Sequence, residues 1–96
     1  MDINIKAIHF DINEKLTAFI NKKLERLARH NPSVTTAEVS LKVVKPETAM
    51  NKQAIVKVLV PQQDEIVADK TADSFEEAVD LCLEAVERQL EKIKNK

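Results

Sequence analysis

Residues 74–96, SFEEAVDLCLEAVERQLEKIKNK, contain the helical pattern that decides the fold. Ser74 and Glu77 have the spacing of a capping box, in which the serine hydroxyl accepts a hydrogen bond from a free backbone N–H of the first turn. Apolar side chains then recur at steps of three and four residues, so one stripe of the helix must lie on another layer of structure. The stripe comprises Phe75, Ala78, Val79, Cys82, Val86, Leu90 and Ile93.

A second amphipathic helix is predicted between Asn13 and His30. Asn13 is a favourable N-cap, and Asn31 in a left-handed conformation followed by Pro32 would end the helix. Its buried stripe is predicted to contain Leu16, Phe19, Ile20, Leu24, Leu27 and Ala28.

Four segments are predicted to be strands, at residues 2–9, 35–44, 53–60 and 65–71, and the first two alternate between apolar and polar side chains. The third is apolar on both faces, which indicates a central position in the sheet. A strand-helix-strand beginning favours a parallel first pair, and the short connections that follow favour an antiparallel meander.

The element order β-α-β-β-β-α predicts an α+β fold, a two-layer sandwich in which both helices cover one face of a four-stranded sheet. Residues 1–96 are long enough for one domain with one core. The uncovered sheet face is predicted to carry Lys6, Lys42, Ile55, Lys57 and Leu59.

The composition excludes several classes of protein. The chain has no glycine, so the glycine-rich phosphate loops of P-loop and dinucleotide-binding proteins are absent, and turns are expected to use Asn, Asp and Pro. Three phenylalanines are its only aromatic residues, which argues against a base-stacking platform for single strands. Fifteen basic and sixteen acidic residues nearly balance, so attraction to a polyanion must come from local patches.

The sequence also predicts a cytoplasmic protein. Cys82 is the single cysteine and lies within an apolar stripe, which fits a reducing compartment. The alternating N-terminus does not have the continuous apolar run of a signal peptide, and no run of 18 apolar residues occurs.

The residues that carry chemistry do not form a catalytic pattern. His9 and His30 are the only imidazoles, and neither they nor Cys82 have the spacing of metal ligands or of a nucleophile with its base. Acidic residues of the last helix follow the helical step on the side away from the apolar stripe, which is typical of a solvated face. No enzymatic activity, metal or cofactor is therefore expected.

Basic residues provide the stronger functional signal. Residues 13–29 contain five basic side chains against two acidic ones, and residues 88–96 contain four against one. Two helices packed on the same sheet face would bring these segments into one layer, and a paired basic surface suits the phosphates of an RNA backbone. The same pattern also fits ordinary solvated helix faces.

Short motifs along nearly the whole chain resemble the bacterial ribosome hibernation-promoting factor family, which includes the ribosome-associated inhibitor. They are IxI at 3–5, DINxxL at 11–16, KLERL at 23–27, IVAD at 66–69, DSFxxAVD at 73–80 and ERQLxK at 87–92. The resemblance implies a fold related to double-stranded-RNA-binding domains and no catalytic activity. It also implies binding in the tRNA and mRNA channel of the small ribosomal subunit, which blocks translation and preserves idle ribosomes in stationary phase.

The resemblance also implies which residues face ribosomal RNA. The family's helix cations fall on Lys23, Arg26, Arg29, Arg88 and Lys92, and the charge pattern adds Lys22, Lys94 and Lys96 as further RNA-binding candidates.

This chain departs from the family pattern at several positions. Ala7 and Ile8 stand where glycine and a basic residue are common, and Ala85 stands where lysine is usual. Phe75 replaces a common tyrosine, and residues 62–63 replace a frequent glycine pair.

Because the sequence ends at Lys96, the resemblance leads us to expect a short form, without the dimerisation domain of the long forms or the acidic tail of the inhibitor type. An alternative from another class is a homodimeric interaction module, in which Val44, Ile55 and Leu59 form an apolar patch on the open sheet face.

Overall fold

The computed structural model describes residues 1–45 and 49–94, the last of these by its backbone alone. Six elements follow one another in the predicted order β-α-β-β-β-α, each within two residues of its predicted bounds. They are β1 (Asp2–Ile8), α1 (Glu14–His30), β2 (Thr36–Val43), β3 (Lys52–Leu59), β4 (Ile66–Ala72) and α2 (Phe75–Lys94).

The strands form one sheet in the order β1-β2-β3-β4. β1 pairs with β2 in parallel, whereas β2 with β3 and β3 with β4 are antiparallel. Val56 of β3 lies between Val39 of β2 and Ala68 of β4, so the strand that is apolar on both faces is central. Both the predicted topology and the central position of β3 are confirmed.

Both helices cover the same face of the sheet. α2 packs on β3 and β4, and α1 lies beside α2 and next to β1. α1 follows β1 and α2 follows β4, and these two strands point in the same direction. Each helix runs back along the sheet after its strand, so the two helices are parallel to each other. Their apolar stripes and the facing strand residues form one core, which confirms the two-layer α+β sandwich. Its fully enclosed side chains include Ile20, Leu24, Leu27, Val39, Leu41, Val56, Val58, Val79, Cys82 and Val86.

Both helix starts have the predicted caps. The backbone N–H of Leu16 donates to Asn13 Oδ1 at 2.8 Å, and that of Glu77 donates to Ser74 Oγ at 3.1 Å. The predicted left-handed Asn31 at the end of α1 is wrong, because its φ is −136°. Asn31 is buried and ends the helix through its side chain, whose Nδ2 donates to Leu27 O at 3.0 Å.

Among residues 1–45 and 49–94, four non-glycine residues adopt positive φ, namely His9, Lys45, Met50 and Gln62. The expectation that Asn, Asp and Pro would make the turns is therefore wrong at these left-handed positions. Pro61 and Gln62 form a turn of type II character, closed by the Gln63 N–H donating to Val60 O at 3.2 Å. Gln62 occupies the position that favours glycine, at a cost of about 1–2 kcal/mol from the clash of its Cβ with the backbone.

Cys82 lies at the centre of the α2 interface with the sheet. Its side chain has no exposed surface, and Sγ lies 3.2 Å from Ala54 O and 3.6 Å from Ala68 O. Burial raises the pKa of the thiol from 9.0 to about 11, because the apolar surroundings disfavour the thiolate. The group is therefore a protonated thiol at neutral pH and a poor nucleophile.

The shifted pKa of Cys82 predicts a loss of stability in alkaline solution. Between pH 9 and 11 the unfolded chain loses the thiol proton while the folded chain retains it, so the free energy of unfolding falls as pH rises. We expect this group to lower it by roughly 2 kcal/mol between pH 8.5 and 10.5, measured by urea unfolding. Lysines titrate in the same range, so the comparison is with Cys82→Ala, whose pH dependence should be weaker by that amount. Equal slopes would contradict the prediction.

The predicted apolar patch on the open sheet face is not continuous. Leu59 lies opposite Thr36 at one end of β3, whereas the Val44 N–H donates to Asn51 O at the other end. Ile55 is half-buried between them. The apolar neighbour of Leu59 on this face is instead Val67, diagonally across on β4, and the two side chains are 42% and 44% exposed.

Candidate nucleic-acid interface

Two contacts align the parallel helices. The rings of Phe10, before α1, and Phe75, the first residue of α2, stack with centroids 4.9 Å apart and an interplanar angle of 7°. Further along, Lys23 Nζ of α1 lies 3.3 Å from Asp80 Oδ1 of α2. The two helices thus form one layer, whose outer surface carries the predicted basic residues that the structure describes.

The α1 patch, defined as Lys22, Lys23, Arg26 and Arg29, lines a shallow depression together with Phe19. Lys23 is half-buried, and the other three cations are exposed. Lys23 Nζ also lies 5.4 Å from the centroid of the Phe19 ring, within cation-π distance. Lys23 thus has both an anionic and an aromatic partner within the protein.

The α2 patch, defined as Arg88 and Lys92, lies on a side of α2 that does not line the groove between the helices. Both residues are exposed and line a second depression with Ala85, Gln89 and Glu91. The half-buried Ala85 lies directly among them. The side chain of Lys94 and the whole of Lys96, the two remaining candidates, lie outside the described residues.

An acidic row separates the two patches. Asp80, Glu84, Glu87 and Glu91 follow one another along α2 at steps of four, three and four, and all four are exposed. The groove between the helices is lined by Lys23 and Arg26 from α1, with Asp80, Leu83, Glu84 and Glu87 from α2. The helices share one layer as predicted, but their cations do not form one continuous basic surface.

The structure assembles no catalytic or metal site among residues 1–45 and 49–94. His9 is exposed and follows β1 with a φ of 63°, and His30 is exposed at the end of α1. No group of three or more His, Cys, Asp or Glu residues in this part of the chain is arranged to hold a metal ion. Neither of the two described helices is long and apolar enough to cross a membrane.

The fold is a small α+β sandwich whose helix layer carries exposed cations. Residues 3–96 match the model of the family described as sigma 54 modulation protein / S30EA ribosomal protein, and the chain belongs to this family. The family consists of ribosome-associated factors and is not an enzyme family.

Named relatives agree with this assignment. The ribosome hibernation promoting factor of Azotobacter vinelandii is 31% identical over 96 residues, which are 100% of this chain and 85% of the relative. That of Pseudomonas putida is 28% identical over 100% of this chain and 89% of its own length. The resemblance to the hibernation-promoting factors is therefore confirmed.

Solved structures have the same fold. A ribosomal subunit interface protein from Coxiella burnetii superposes with a TM-score of 0.87 at 26% identity, covering 100% of both chains. The N-terminal domain of Thermus thermophilus Protein Y superposes with a TM-score of 0.79 at 20% identity, covering 97% of this chain and 99% of the other.

Proposed function

We propose that this protein is a ribosome hibernation factor, which binds the small ribosomal subunit in the tRNA and mRNA channel. There it inhibits translation and preserves idle ribosomes in the cytoplasm during stress and stationary phase. The observation that carries the proposal is the display of Arg26, Arg29, Arg88 and Lys92 on one helix layer of a chain from this family.

The proposed contacts are to the ribosomal RNA backbone and not to base edges. Arg26 and Arg88 have planar guanidinium groups that can donate two hydrogen bonds to one phosphate. Such contacts give affinity without reading sequence, and a rigid protein of suitable shape then occupies space that tRNA and mRNA require.

The acidic row predicts how the RNA lies on this surface. Phosphates would be repelled from Glu84 and Glu87 on the α2 side of the groove, so the two patches are expected to hold separate segments of backbone. This arrangement suits folded ribosomal RNA, in which several strands converge, better than a single extended strand. It also explains how a chain with a net charge of −1 can bind a polyanion through part of its surface.

Co-sedimentation with purified small subunits tests the proposal. We expect binding at low salt that weakens steeply as salt rises, because each phosphate contact releases counterions and adds roughly 0.7–0.9 to the slope of log K against log salt. The large subunit, added separately at equal concentration, is the specificity control. Failure to bind at low salt, or equal binding at all salt concentrations, would contradict the proposal.

A homodimer through the open sheet face would be a different function. The exposed Leu59 and Val67 favour it, but Lys57 lies directly opposite Val67 on β3 and is itself paired with Glu38 on β2. Charge reversals on the helix layer distinguish the two functions, because they weaken ribosome binding and leave contacts of the opposite face unchanged.

A further inference from the structure

The two outer edges of the sheet differ in how they are protected. Within the described residues, β1 and β4 each have a neighbouring strand on one side only. On β4, Lys70 lies opposite Ala54 and therefore on the helix-facing side, where an edge lysine opposes pairing with another strand. On β1 the helix-facing residues Ile3, Ile5 and Ala7 are all apolar and half-buried. β1 is thus the less protected edge.

The backbone of β1 has free groups in a regular pattern. The Asp2 N–H donates to Thr35 O at 3.0 Å, so the backbone groups of Asp2 and of the alternate residues after it point towards β2. Those of Ile3, Ile5 and Ala7 point outwards, away from the sheet. An added antiparallel strand would therefore form its hydrogen bonds at these three residues.

The side chains of β1 are complementary to a second, reversed copy of the same strand. When Asn4 is placed opposite Asn4 of the second copy, Asp2 faces Lys6 and Ile3 faces Ile5, and the same pairs recur on the other side of the axis. Ile3 and Ile5 are then the hydrogen-bonded pair, as the outward backbone groups require. Asp2 and Lys6 form non-hydrogen-bonded pairs, in which side chains approach closely and opposite charges are favourable.

The helix above this edge presents small side chains towards it. By the helical step, the flank of α1 opposite its contact with α2 carries Thr17, Asn21 and Ala28, which are uncharged and half-buried, with the exposed Glu14 and Glu25 at its outer border. The cations Lys22 and Arg29 lie outside this flank. Two copies related by an axis perpendicular to the sheet would have their helices on the same side, with these flanks facing each other.

We propose that β1 is a self-association edge, which pairs antiparallel with β1 of a second copy of this chain about Asn4 and joins two four-stranded sheets into one. The register is set by the Asp2 to Lys6 pairs and by the Ile3 to Ile5 pairs. This surface is separate from the α1 and α2 patches, so the proposal does not depend on ribosome binding.

Charge-swap variants test the register by sedimentation equilibrium of the untagged protein. The wild type is expected to show a concentration-dependent dimer. Asp2→Lys and Lys6→Asp should each weaken it at least about tenfold at low salt, because two cross-strand pairs become like-charged. An equimolar mixture of the two variants should recover association, because position 2 of each strand then faces the opposite charge at position 6 of the other. The variant with both Asp2→Lys and Lys6→Asp should also associate, for the same reason. Failure of both to recover association would overturn the proposal.

A disulfide test locates the axis. In a non-hydrogen-bonded antiparallel pair the Cα atoms are about 4.5 Å apart, which a disulfide can span. Asn4→Cys is therefore expected to give a linked dimer with oxidised glutathione as oxidant, and buried Cys82 should not compete. Lys6→Cys, on the same strand and face but off the axis, is the matched control. Equal linking of these two variants, or faster linking of Ser40→Cys in the middle of the open face, would overturn the edge pairing.

Discussion

Reversing the charge at Arg26 and Arg88 together is expected to abolish binding to the small ribosomal subunit. Each side chain is exposed, one in each patch, and each charge-assisted hydrogen bond to a phosphate contributes about 1.5–3 kcal/mol. Losing two contacts and adding repulsion should weaken binding by about 100-fold or more. The measurement is the dissociation constant of Arg26→Glu plus Arg88→Glu from co-sedimentation at fixed low salt.

The matched control has the same change in net charge on the other face of the sheet. Lys42→Glu plus Lys57→Glu should retain most of the affinity, because both residues lie on the open face. Arg26→Gln plus Arg88→Gln separates lost contacts from added repulsion and should bind with intermediate affinity. Thermal stability of each variant should stay within about 1 kcal/mol of wild type, since exposed substitutions rarely change more. Unaltered affinity of the double reversal would refute the site assignment.

Truncation of Leu24 is expected to have the largest effect on stability. Leu24 has no exposed surface and belongs to the four-residue stripe by which α1 is held in the core. Leu24→Ala leaves a cavity and should lower the free energy of unfolding by about 2–5 kcal/mol. Domains of this size are typically stable by about 5–15 kcal/mol, so a substantial part of the total would be lost. Urea unfolding followed by circular dichroism measures the change.

Leu81→Ala is the control for the loss of a leucine side chain as such. Leu81 lies on α2 with 36% of its surface exposed, and its truncation should cost less than about 1 kcal/mol. A loss below 1 kcal/mol at Leu24, or equal losses at both positions, would mean that α1 is not packed as described.

Periodicity was sufficient to predict the fold because local pattern and burial agree throughout this chain. Four residues of the predicted α1 stripe, from Leu16 to Leu27, are buried, whereas Phe19 and Ala28 are half-buried; the α2 stripe is buried from Ala78 to Leu90. The alternation of β2 and β3 places Val39 and Val56 in the core. The caps at Asn13 and Ser74 could be recognised from sequence, because each side-chain oxygen accepts a hydrogen bond from the backbone N–H three residues later. Such short-range hydrogen bonds depend little on the rest of the structure.

The errors arose where a local preference competed with tertiary structure. Asparagine alone readily adopts the left-handed region. Asn31 is buried, however, so its side-chain amide needs a hydrogen-bond partner, and it donates to Leu27 O. At Gln62, the turn between two paired strands imposes positive φ on a residue that would otherwise avoid it. In a chain without glycine, the sheet geometry decides which residues bear this strain.

The separation of the basic patches could not be predicted from either helix alone. The spacing of Asp80, Glu84 and Glu87 indicates that they share one side of α2, but not that this side faces α1. The rotation of α2 about its axis and its shift along α1 are set by core packing, and the contact between Lys23 and Asp80 results from both. The charge pattern therefore identified the candidate residues and missed the acidic row between them.

The parallel orientation of the helices has a consequence for their charge. Peptide dipoles align along each helix, so two parallel neighbours have their partial positive ends, at Glu14 and Phe75, towards one end of the helix layer and their partial negative ends, at His30 and Lys94, towards the other. Glu14 and Glu76 place negative charge near the partial positive ends, and Arg29 and Lys92 place positive charge near the partial negative ends. Arg29 and Lys92 thus stabilise the helix pair whether or not RNA is bound, whereas Arg26 and Arg88 lie about a turn or more before the helix ends, where this effect has largely decayed.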